Sequence, residues 1–202
     1  MKLLLSFCSI IAISTSICAV TTEDAWLLSS SWMRNYLIDT CAELHSAEFS
    51  RIKLVQSSED TGRSFTSHYG NKVANDFTRY MSEQSRLTIS LINAYKKKDE
   101  TVQKDLVDAW KLNATNMCTF LSRTNPYLRF TPTRNLLFDY LKRMLSMITY
   151  RVNQEWQNDA NECDLFLKQG AHIGNVFAQA LFDAFPVRKK ETLVRRRLTY
   201  ND

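Results

Sequence analysis

Residues 71–97 read NKVANDFTRYMSEQSRLTISLINAYKK, and this stretch decides the fold. Val73, Phe77, Met81, Gln84, Leu87, Thr88, Leu91 and Tyr95 recur at steps of three and four, the repeat of one face of an α-helix. The stretch holds neither glycine nor proline, and Lys96, Lys97 and Lys98 complement the negative end of a helix dipole. A strand of this length would need turn residues that are absent.

The same repeat continues on both sides. Upstream, Trp26, Ser30, Met33, Leu37, Cys41 and Leu44 predict a helix from about Thr22 to Leu44, capped by Thr21 or Thr22. A shorter helix is expected from Phe49 to Ser67, closed by a turn at His68–Asn71 around Gly70. Downstream, Asp99 and Glu100 open a helix over Thr101–Arg123 with Val102, Leu106, Trp110, Asn113, Met117, Phe120 and Leu121 on its inner face. Pro126 ends it, because the residue before proline avoids the helical region. Thr131 as cap with Pro132 at the first helical position predicts a last helical region running to Phe185. That region reads as one long helix bent near Gly170 or Gly174, with a division near 158–161 as the alternative. With four glycines and three prolines in 202 residues, the chain is expected to be all-α, an antiparallel bundle of about five helices.

The ends read differently. Met1–Ala19 has one positive charge, a short apolar run from Leu3 to Ile13 and small residues near its end, the pattern of a secretory signal peptide. An uncleaved membrane anchor is the alternative. The expected organisation is a signal peptide over 1–19, a bundle over 20–187 and a basic tail over 188–202. The tail carries Arg188, Lys189, Lys190, Arg195, Arg196 and Arg197 against Glu191 and Asp202. With Lys2 it accounts for the whole net charge of +5, so the body is near neutral. No nucleic-acid surface is therefore expected, since that needs a clustered basic face. The tail offers contact with an anionic surface or an acidic partner. About 180 remaining residues suffice for one domain with its own core.

Few chemical motifs occur. There is no Cys-x-x-Cys, His-Glu-x-x-His, Gly-x-Ser-x-Gly or P-loop. Cys163 and His172 lie nine residues apart on one predicted helix, too far along it to touch. Cys41, Cys118 and Cys163 allow buried thiols or one disulfide. The informative residues are polar side chains in or near apolar stripes: Ser30, Gln84 and Asn113, with Tyr140 and His172 close by. They predict a hydrogen-bonded network that sets helix register, or a polar ligand pocket in the core. Arg34 and Asp60 join them as ligand-binding candidates. A metal reading would use His172 with Asp60, Glu162 or Asp164. Asn113-Ala114-Thr115 is a glycosylation sequon on a buried phase.

The order of motifs resembles a family of uncharacterised bacterial helical proteins, many from Bacillus-like organisms. The matching residues are Trp26, Trp32, Arg34 and Ile38; Asp60, Gly62, Tyr69 and Gly70; Leu91–Ala94; Trp110, Asn113 and Ala114; Phe120–Ser122 with Asn125 and Pro126; Trp156, Asp159 and Asp164; and Phe185–Pro186. The family pattern has histidines where this chain has Ser30, Gln84 and Tyr140, and only His172 matches one. The resemblance implies a helical fold and an interior site altered here; it implies no activity. The function expected is therefore an exported, non-catalytic binding protein of unknown partner and cofactor. The alternative is a metal- or small-ligand-binding bundle with a core site around His172.

Overall fold

A computed structural model describes residues 21–186, so the expected signal peptide and the basic tail lie outside the described residues. Those residues form α1 (Thr22–Cys41), α2 (Ala47–Arg63), α3 (Thr66–Lys97), α4 (Glu100–Thr124), α5 (Phe130–Val152) and α6 (Trp156–Ala184), with no strand among them. Each helix packs on its neighbours in sequence, α6 closes back on α1, and α1, α3 and α5 also touch one another. The ends of the described chain meet on the same side, where Thr21 and Phe185 line a common cavity.

The helix starts follow local chemistry. Thr21 is extended and its side chain accepts from the Asp24 amide at 3.1 Å. Asp99 accepts from the Val102 amide at 3.1 Å. Each side chain satisfies one of the orphan donors of a first turn. Asn125, extended before Pro126, donates its side-chain amide to the Ala180 carbonyl at 2.9 Å and so ties the α4–α5 turn to α6. Phe65, Phe77, Trp26 and Phe177 form the aromatic centre of a single core. Their ring centroids lie 4.3 Å apart for Phe65–Phe77 and 5.3 Å for Trp26–Phe177. Burying each such side chain contributes roughly 1.5–3 kcal/mol.

Three expectations need correction. There are six helices rather than about five, because the last helical region divides at Asn153–Glu155, earlier than 158–161. The break carries neither glycine nor proline; Gln154 itself adopts the left-handed conformation, φ 61°. Helix α6 then runs unbroken through Gly170 and Gly174. Gly170 is a point of close approach: a Cβ there would overlap Ser30 Oγ and lie 3.0 Å from Ser30 Cβ. Finally, α5 starts at Phe130 with Arg129 as the capping residue, so Thr131 and Pro132 fall within the first turn. Proline is tolerated there because that turn's N–H groups lack helical partners anyway. Gly70 does interrupt the chain as expected, at φ 77° and ψ 172°, but Thr66–Tyr69 already form a helical turn before it.

Candidate functional site

The three connections α1–α2, α3–α4 and α5–α6 share one backbone design. In each, a residue after the helix donates five positions back: Leu44 N–H to Asp39 O at 2.9 Å, Asp99 N–H to Ala94 O at 3.1 Å, and Glu155 N–H to Tyr150 O at 2.8 Å. The residues before those donors are Glu43, Lys98 and Gln154, the three non-glycine residues with positive φ among the described residues. This is the Schellman closure, which normally takes glycine. An L-residue in that conformation costs about 1 kcal/mol or more. Three such turns gather at one end of the bundle and frame a basin.

The basin's foundation is a buried carboxylate. Asp159, 1% exposed, accepts two hydrogen bonds from the Arg34 guanidinium, the NH2 contact being 2.7 Å, and forms an ion pair with Arg151 at 2.5 Å. One negative charge thus holds two positive ones, with side chains only 11% and 18% exposed. Arg151 lies over the Trp156 ring, its Cζ 5.2 Å from the ring centroid, a cation–π distance. Its Nε is buried without a partner among the described residues. Lys96 donates to the Thr40 carbonyl at 2.8 Å and pairs with Glu43 at 3.0 Å, closing the C-terminal end of α1.

Arg151, Trp156, Lys96, Lys98, Cys41 and Gln154 surround a cavity of about 330 Å³ whose lining includes no carboxylate among the described residues. Trp156 is 56% exposed, unusual for its type. Burial pushes the Cys41 thiol up, against the pull of Arg151 and Lys96. Burial likewise raises Cys163, against Arg34, and takes Cys118 up to about 12. All three are free thiols. Held protonated, they are poor nucleophiles.

The polar residues singled out in the sequence fall into two pairs. Ser30 Oγ donates to the Trp26 carbonyl at 2.9 Å and lies 3.0 Å from the Tyr140 hydroxyl. A serine hydroxyl has one proton, so Tyr140 is the donor in the second bond. Burial raises the Tyr140 pKa, with the Ser30 contact opposing it. On the other side of the core, Asn113 donates to Gln84 Oε1 and to the Tyr80 carbonyl, both at 3.1 Å. The first pair joins α1 to α5 and the second joins α3 to α4, so they are register-setting contacts rather than one pocket. Asn113 is buried with its amide committed, and a glycan cannot be attached there without opening this contact.

The remaining candidates sit apart. His172, Asp60 and Asp164 are exposed, and Asp60 pairs with Arg63 at 2.7 Å. Glu162 pairs with Arg143 at 3.2 Å. Among the described residues no three His, Cys, Asp or Glu side chains converge as a metal site requires. A core site around His172 therefore has no geometric basis: its face of α6 turns outward. Of the candidates only Arg34 is tied to the basin, sharing Asp159 with the lining residue Arg151. Its partners Asp159 and Arg151 were not singled out as site residues. Asp159 could have been found, because stepping back four residues from Cys163 on the α6 stripe lands on it.

No family model matches the chain, and neither a curated protein nor a solved structure matches it.

Proposed function

We propose that this chain is an exported, non-catalytic binding protein, and that the basin at the three-turn end takes a small organic anion. The observation that carries the reading is Arg151, fixed by Asp159 on one side and stacked on an exposed Trp156 on the other, with Lys96 and Lys98 at the same cavity. A guanidinium held in place in this way offers donors to a carboxylate or phosphate with little entropy left to lose. The indole and Ile38 supply a surface for the ligand's apolar part. The protonated thiols and separated polar pairs favour binding over chemistry.

Export rests on the apolar run near Met1, and the helix cap at Thr21 agrees with it: cleavage after Ala19 leaves Thr21 in place to cap α1. No described helix is long and apolar enough to cross a membrane. The likeness to the bacterial helical family remains part of the reading. At three of that family's histidine positions this chain has Ser30, Gln84 and Tyr140, which make register contacts here.

Titration of benzoate, citrate and inorganic phosphate, followed by tryptophan emission with Trp156→Phe as the reference that removes the basin's indole, tests the basin. Saturable quenching by at least one of them is expected. Arg151→Gln and Lys98→Gln should each weaken it about tenfold, while Arg34 keeps Asp159 paired. Absence of binding by all three anions, or binding by both variants as tight as by the parent protein, refutes the assignment.

A further inference from the structure

A second cavity, of about 430 Å³, lies along the seam between α4 and α5. It shares no lining residue with the basin. Its walls are mainly apolar, from Val107 on α4 and Phe138, Leu141 and Leu145 on α5. From Phe138 to Tyr150 it follows α5 for roughly 18 Å at the rise of an α-helix. That makes it long and narrow, the shape of an extended chain rather than of a ring system.

Two lysines give it polarity. Lys111 stands on α4 and Lys142 on α5, and both line the cavity while remaining exposed. The helices leave the turn at Asn125–Arg129 in opposite directions. Lys111 lies thirteen residues before the end of α4 and Lys142 twelve after the start of α5. The two ammonium groups therefore flank the groove at about one level, roughly 20 Å from the turn. Neither forms an ion pair within 4.0 Å among the described residues. An apolar trough with two unpaired cations at one level is complementary to a molecule with a single apolar chain and an anionic head.

We propose that the α4–α5 groove binds a single-chain carboxylate amphiphile, its chain along Leu141 and Leu145 and its head between Lys111 and Lys142. The chain leaves water against the apolar walls, and the head takes two charge-assisted hydrogen bonds. The groove stays open along its length, so the ligand exchanges without the bundle unfolding.

The test is calorimetric titration of the full mature chain with dodecanoate below its micellar concentration, beside the matched alcohol dodecanol. Saturable binding of one dodecanoate, tighter than dodecanol, is expected. The double variant Lys111→Gln/Lys142→Gln, altered only at exposed positions, should weaken dodecanoate about tenfold and leave dodecanol unchanged. Leu145→Ser, with its helical circular dichroism retained, should weaken both. Lack of saturable binding, equal affinity for acid and alcohol, or binding indifferent to all three substitutions overturns the proposal. The last outcome would place the amphiphile in another cavity. Because Arg151→Gln leaves this groove untouched, failure of the basin and failure of the groove are read separately.

Discussion

Replacing Asp159 by asparagine keeps the side chain's shape and removes the one negative charge between two guanidinium groups. Asp159 is 1% exposed and its partners are mostly enclosed, so water cannot readily take over the lost interactions. Breaking one side of a buried ion pair typically costs about 3–5 kcal/mol, because the surviving charge is left unpaired. Arg151 keeps its stacking on Trp156 and some exposure, which sets the expectation for Asp159→Asn near the lower end, about 3 kcal/mol. For a body of this size each kcal/mol moves the melting temperature by roughly 2–4 °C, giving a fall of about 6–12 °C. Urea unfolding followed by circular dichroism measures the same loss directly. The apolar triple replacement Arg34→Met/Asp159→Leu/Arg151→Met should be close to neutral, since it removes the charges together. A loss below about 1 kcal/mol for Asp159→Asn would refute the argument, because it would mean the carboxylate is hydrated or its partners re-pair elsewhere.

Other substitutions probe separate parts of the fold. Gly170→Ala should destabilise by about 1–3 kcal/mol despite alanine's better helix propensity. Gly62→Ala should cost more, since its Cβ would meet the Thr78 backbone rather than the hydroxyl of Ser30; paired urea midpoints rank the two. Lys98→Gly and Gln154→Gly should each leave stability unchanged or raise it by up to about 1 kcal/mol, by relieving a left-handed L-residue. Lys98→Gly should at the same time weaken anion binding at the basin. Cys118 keeps its proton to about 12 when folded but loses it near 9.0 when exposed. Its contribution to stability is therefore intact below about pH 9 and declines as pH rises towards about 12. Urea midpoints at about pH 8 and about pH 10, with Cys118→Ala as reference, should show a steeper decline in the parent protein.

Most of the architecture was legible because a bundle helix writes its buried face at a fixed repeat. Phe77, Met81, Leu87 and Leu91 are all core residues, as their spacing requires. The cap at Thr21 and the stop before Pro126 were equally plain, since each depends on one residue's local chemistry. The break at Gln154 was hidden because nothing in glutamine announces positive φ; it is imposed by α6 packing back on α5. Gly170 was visible as a glycine but not as a close approach, because Ser30, the atom it makes room for, is 140 positions away in sequence. The candidate site was less legible for the same reason. Arg34 was noticed, yet a charged residue becomes part of a site only through the distant residues it meets, Asp159 and, through it, Arg151, which lies over Trp156. His172 and Asp60 show the converse: near a stripe or inside a motif, they still face outward.

Six alternating helices leave both ends of the described chain on one side, where Thr21 and Phe185 share a cavity, and the basin on the other. Helix α1, twenty residues long, separates the two by roughly 30 Å. Anything attached at Thr21 or Phe185, the two ends that share that cavity, lies on the side away from the charged basin. A reporter joined at either of those two positions, or a sensor surface grafted there, should leave that mouth unobstructed.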